Sequence, residues 1–175
     1  MASPKLNTPS YELEIPSTDE KIMYRPFLVK EEKILLIALE SAKNEEIIRA
    51  MKEIVSECTF NKLDISNLPM FDIEYIFLNI RAKSVGEVSK LKIRCPDDKK
   101  TMADVEIDLN TVNVEIGEGH TNKIELEEGM GIIMQYPTID SFKKLGLQNI
   151  TAKNMTDIIS ACILQIYENN GEKVY

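Results

Sequence analysis

Lys90-Leu-Lys-Ile-Arg-Cys-Pro-Asp-Asp-Lys-Lys-Thr-Met-Ala-Asp-Val-Glu-Ile-Asp-Leu109 is the stretch that decides how the chain divides between helix and strand. On its first arm Leu91, Ile93 and Cys95 alternate with Lys90, Lys92 and Arg94. On its second arm Val105, Ile107 and Leu109 alternate with Asp104, Glu106 and Asp108. A period of two puts successive side chains on opposite faces of a strand. Pro96-Asp-Asp-Lys99 between the arms has turn composition. The pattern predicts an antiparallel hairpin, basic outside on one strand and acidic outside on the other. Opposed Lys/Arg and Asp/Glu pairs favour that register by about 0.2–1 kcal/mol each.

Upstream the period changes. Ile47, Ile48, Met51, Ile54, Val55 and Cys58 fall at helical spacing and predict an amphipathic helix from Asn44 to about Glu57, with Glu45 and Glu46 at its positive end. A second helix is expected from Asp72, with Ile73, Ile76, Phe77 and Ile80 on one side and Tyr75, Asn79 and Lys83 elsewhere. Tyr11-Glu-Leu-Glu-Ile-Pro16 and Ile22-Met-Tyr-Arg25 read as short strands. Lys33-Ile-Leu-Leu-Ile-Ala-Leu-Glu40 is apolar on both faces and is read as a central strand, since a clear helix follows it. Met1–Ser10 holds two prolines and reads as a flexible arm.

Downstream, Val112–Ile116, Lys123–Glu127 and Ile132–Tyr136 read as further strands, punctuated by Gly117, Gly119, Gly129 and Gly131. Thr138–Leu145 predicts a short helix. A final helix is expected from Asn154 to Glu168 on the stripe Met155, Ile158, Ile159, Cys162, Ile163, Ile166 and Tyr167, with Asn154 and Asp157 as a capping box. The expected class is α+β: a small N-terminal antiparallel sheet with packed helices, a β-rich ribbon-like insertion and a C-terminal amphipathic helix. The expected divisions are a 1–10 arm, an 11–85 α+β part, an 86–136 β-rich insertion, and a 137–175 helical part that is compact with 11–85.

The 175 residues carry a formal net charge of -8, with 43% hydrophobic and 29% charged residues. That balance fits a globular chain, and the acidity argues against nucleic-acid partners and against docking on anionic lipid. The longest apolar run, Ile34–Leu39, is far too short for a membrane span. Three scattered cysteines after a polar N-terminus predict free thiols in a reducing compartment.

Signals for chemistry are sparse. His120, the one histidine, has no nucleophile turn near it. The Gly117/Gly119 and Gly129/Gly131 pairs lack the third glycine and the Gly-Lys-Ser/Thr ending of phosphate loops. Cys95-Pro96 sits where a zinc knuckle would begin, but Asp98 occupies the second cysteine position and no ligand pair completes a tetrahedral site. The residues therefore predict no catalytic, cofactor or metal site. The apolar stripes remain, with Tyr75, Phe77, Ile163 and Tyr167 as candidate partner contacts.

Tyr24-Arg-Pro-Phe-Leu-Val-Lys-Glu-Glu-Lys-Ile-Leu-Leu-Ile-Ala-Leu-Glu-Ser41 resembles the N-terminal signature of the baseplate hub family of T4-like bacteriophages. Phe71-Asp-Ile-Glu-Tyr-Ile-Phe-Leu-Asn-Ile-Arg-Ala-Lys-Ser-Val-Gly86 resembles that family's second block, and the hairpin around Cys95 follows where the family places one. The similarity runs from about Pro9 to Tyr175. It implies a late, non-enzymatic protein of the virion tail baseplate, made in the host cytoplasm and partnered by other hub and tail proteins. Relatives carry a fuller cysteine set at the ribbon and continue past the position of Tyr175. Three alternatives stand beside this one: an assembly factor absent from the finished virion, a degenerate zinc-ribbon-like binding module, and a small hydrolase using His120.

Overall fold

A computed structural model describes residues 8–127, 129–144 and 155–168. The chain forms two compact units, one of residues 1–65 with 71–114 and one of residues 66–70 with 115–175. The mixed α+β class expected from the patterning is what the chain adopts.

In the first unit β1 (Tyr11–Glu14) pairs antiparallel with β2 (Lys21–Tyr24), Tyr11 opposite Tyr24. Those two rings lie 5.6 Å apart. Helices α1 (Val29–Glu40), α2 (Asn44–Cys58) and α3 (Met70–Val85) follow. The expected strand at Lys33–Glu40 is thus corrected to the body of α1. A run apolar on both sides fits either state, and here the helix start is secured locally. Glu31 sits three residues into the helix entry, and its Oε2 accepts the Leu28 N–H at 2.7 Å, the reciprocal half of a capping box. Leu and Ala are also strong helix formers. On α2 the predicted stripe is the inner face: Ala50, Ile54, Val55 and Cys58 are buried. On α3 the buried side holds Ile73, Ile76, Ile80 and Ala82. With Ile15, Ile22, Tyr24 and Leu109 these make the core of the unit.

The hairpin forms as the alternation requires. β3 (Val88–Arg94) pairs with β4 (Met102–Asp108), Lys90 opposite Glu106 and Lys92 opposite Asp104. Their charges meet at 2.8 and 3.8 Å. Asp98 builds the turn, accepting the Lys100 and Thr101 N–H groups at 2.9 Å each and the Thr101 hydroxyl. These bonds hold its carboxyl at about 2. After β4 a 3₁₀ turn (Leu109–Thr111) is capped by Asp108, and Val112–Ile116 forms no strand.

The second unit contains a three-stranded antiparallel sheet in the order β5-β6-β7. β5 is Lys123–Glu127, β6 is Met130–Met134 and β7 is Ile163–Glu168. Short helices α4 (Ile139–Lys144) and α5 (Met155–Cys162) complete it, with Ile139, Ile158 and Cys162 buried. The expected final helix is therefore corrected: it ends at Cys162 and the chain continues as strand. Ile163-Leu-Gln-Ile-Tyr-Glu168 satisfies a period of two as well as of 3.6, and its β-branched and aromatic residues suit a strand. A free edge of β6 supplies the ladder, pairing Gly131 with Tyr167 and Ile132 with Ile166. Most of the expected arm (1–7), the proposed cap at Asn154, and 145–154 and 169–175 lie outside the described residues.

Candidate docking surfaces

Four constellations among the described residues hold the candidate groups in hydrogen bonds or ion pairs. In the first unit Arg25 Nη2 meets Glu31 Oε1 at 2.9 Å, while its Nη1 donates to the Pro26 carbonyl at 3.0 Å and reaches Cys58 Sγ at 3.7 Å. Glu31 is fully buried. Burial alone would raise its pKa, but the Arg25 guanidinium and the Leu28 N–H outweigh that and lower it. The Cys58 thiol is also fully buried, and desolvation, partly offset by Arg25, pushes it up to about 11. A thiol so placed is neutral at physiological pH and lacks the thiolate character of a nucleophile.

Asp72 is buried at the start of α3. Its carboxylate accepts the Ser17 N–H at 3.2 Å and the Ser17 hydroxyl, tying the β1–β2 turn to the helix. Desolvation raises its pKa against the pull of Ser17. His120 lies on the second unit's surface with Nε2 2.7 Å from the Tyr136 hydroxyl, the two rings nearly parallel. Cys95 anchors the ribbon turn through its backbone, donating to the Thr101 carbonyl and accepting from Lys99. Among the described residues no group of three or more His, Cys, Asp or Glu is placed to hold a metal. Among them, too, no helix is long and apolar enough to cross a membrane.

Apolar surface is the more abundant feature. On α1, Leu36, Ile37 and Leu39 are more than half exposed, and a groove of about 230 Å³ between α1 and α2 is lined by Ile34, Ile37, Ala38 and Ala50, with Glu46, Arg49 and Glu53 among its polar residues. One face of the ribbon carries Leu91, Ile93, Ala103 and Val105, with Leu91 and Ile93 exposed; the register places all the Lys–Asp/Glu pairs on the other. In the second unit the ladder aligns Ile124, Ile132 and Ile166 on one sheet face. Leu126 and Leu164 sit at register shifts of the ladder, and Leu164 is exposed along with Ile166 in the alternating burial of β7. Leu164 is 62% exposed, Leu126 56% and Ile166 39%.

The four contact candidates divide between the units. Tyr75 and Phe77 are half-buried on α3. Ile163 and Tyr167 are half-buried on β7, on the face opposite Leu164 and Ile166. The Tyr167 ring lies over Gly131, and Lys123 Nζ sits 4.6 Å from its centroid. Sequence reasoning passed over Leu164 and Ile166 as surface residues, because on a helix Ile166 belongs to the inner stripe. Reading Ile163–Glu168 at a period of two would have separated them from Tyr167.

A family model described as "T4 bacteriophage base plate protein" matches residues 8–175. Neither the curated proteins nor the solved structures provide a match. The match spans both units and nearly the whole chain. The chain belongs to the T4 bacteriophage base plate protein family.

Proposed function

We propose that this baseplate protein is a non-catalytic subunit of the tail hub, acting through contacts with other hub and tail proteins. The observation that carries the reading is the uncovered apolar surface, above all Leu126, Leu164 and Ile166 on the sheet and Leu36 and Ile37 on α1. Exposed patches of this kind mark interaction sites on soluble proteins. The buried Cys58 thiol and the buried, hydrogen-bonded carboxylates of Glu31 and Asp72 support contact over catalysis. Tyr75, Phe77, Ile163 and Tyr167 are further candidate contacts, each half-buried and able to lose the rest of its exposure to a partner.

Affinity capture of the chain from infected cells, with mass spectrometry, tests the proposal. Other tail proteins should be recovered, and purified virions should contain the chain at fixed copy number. Leu36→Glu with Ile37→Glu should cut that recovery at least about tenfold while leaving the fold intact, since a charge placed in an apolar contact costs more than the 1.4 kcal/mol that tenfold represents. Presence in infected cells with absence from virions would convert the reading to an assembly factor. Turnover of a substrate that is lost on His120→Ala would replace it with an enzyme.

A further inference from the structure

The two edge strands of the second unit's sheet differ in charge. β5, at one side, alternates charge along Lys123-Ile-Glu-Leu-Glu127 and carries a register shift between Glu125 and Glu127. Charge and bulges are the usual protection of an edge strand. β7, at the other side, has a register shift of its own at Leu164 but neither charge nor proline from Ile163 to Tyr167. Among the described residues no strand lies beyond it. A row of backbone N–H and C=O groups with nothing to pair is a template for another strand.

The sequence of that edge identifies the strand it fits. An antiparallel pair related by a two-fold axis perpendicular to the sheet keeps each apolar face on its own side only if opposed residues have the same parity. Centred on Gln165, that pairing sets Leu164 against Ile166 of the second copy, Ile163 against Tyr167 of the second copy, and the two Gln165 amides against each other. Every apolar side chain then meets an apolar one, an aliphatic–aromatic pair forms on the half-buried face, and the central amides can hydrogen-bond. Centring on Ile166 would oppose Leu164 to Glu168, and centring on Leu164 would oppose Ile166 to Cys162 at the end of α5. Of the three, only the Gln165 register sets every residue from Ile163 to Tyr167 against an apolar or identical partner, its one mismatch being Glu168 opposite Cys162.

We infer that a second copy of this chain docks antiparallel along β7, joining two three-stranded sheets into one of six strands with Gln165 on the two-fold axis. The inference goes beyond the hub reading and does not depend on it. An edge-to-edge contact is smaller than a standard interface of about 1,600 Å², so the dimer should form in a concentration-dependent way.

Sedimentation of the full chain over roughly a hundredfold range of concentration should show monomer passing to dimer, as expected for a small interface. Cross-linking reads the register. Opposed residues in an antiparallel pair have Cα atoms about 4.5–5.5 Å apart, within disulfide reach. On a Cys95→Ser background, mild oxidation should link Gln165→Cys to itself, or link Leu164→Cys with Ile166→Cys only when the two chains are mixed. One of those positions must be the non-hydrogen-bonded site, where side chains are closer. Leu164→Cys alone should link at least about tenfold more slowly, its mate being displaced diagonally by about 7–8 Å. A chain that stays monomeric, a dimer that gives neither link, or Leu164→Cys linking to itself as fast as Gln165→Cys would each overturn the inference.

Discussion

The first unit turns its apolar side chains inward and even buries an ion pair, whereas the second leaves the better part of a sheet face open. Ile54, Val55, Ile73, Ile76 and Ile80 are all essentially inaccessible in the first. In the second, the buried apolar side chains among the described residues are Ile139, Ile158 and Cys162, with Pro69. Burial of apolar area drives folding, so among the described residues the first unit holds the larger source of stability.

The largest effect that could break this comparison lies at Glu31. Glu31→Gln would leave the Arg25 guanidinium, itself nearly buried, without a counter-charge. Breaking a buried pair by removing one member costs about 3–5 kcal/mol, and urea unfolding should read that loss. The pH dependence has a definite sign. The Glu31 pKa is lowered in the fold, so its stabilisation is present above the unfolded glutamate value of about 4.3 and is lost as pH falls below it through the folded value. Wild type and variant should therefore converge in acid. Asp72 runs the other way. Its pKa is raised, so its contribution is present below the unfolded aspartate value of about 3.9 and is lost as pH rises through the folded one. Asp72→Asn should remove that second slope and leave the first.

The next test sets the two cores side by side. Ile76→Ala opens a cavity in the closed unit and should cost about 2–5 kcal/mol. Leu164→Ala trims an exposed side chain and should stay within about 0.5 kcal/mol for the chain alone. If the two costs are similar by chemical denaturation, the contrast between units fails. Gly131→Ala should lie between them, at about 1–3 kcal/mol of overpacking. A methyl there would meet the Ile124 carbonyl oxygen at 2.6 Å as well as the Tyr167 ring. The ring can swing aside; the β5 backbone cannot.

How much of this was legible in the sequence follows the same divide. The ribbon was readable to its register, because period-two alternation, a Pro-Asp-Asp turn and opposite charges all favour one pairing. The α2 stripe was readable because Ile54, Val55 and Cys58 recur at one helical period against a charged back. Lys33–Glu40 misled because a run apolar on both faces has no period to read, and the deciding contact, Glu31 with the Leu28 N–H, lies upstream of it. Ile163–Glu168 misled because its spacing obeys both periods, and only the pairing with Met130–Met134 selects one. The bare sheet face was invisible for that reason: which side of a strand faces solvent depends on a register formed across more than thirty residues of chain.

The smallest effect sharpens the comparison within the first unit. The Lys90–Glu106 pair joins two exposed side chains on the charged face of the ribbon, while the opposite face carries the exposed Leu91 and Ile93. Exposed ion pairs are weak because water competes for both charges and holding two long side chains together costs entropy. Glu106→Gln should therefore lower stability by less than about 1 kcal/mol. The loss should vanish near 1 M salt, where the screening length falls to about 3 Å. A double-mutant cycle with Lys90→Met isolates the coupling. Should that coupling exceed the cost of Ile76→Ala, the charge pairs of the ribbon, and not the buried isoleucines, would be the main support of the first unit.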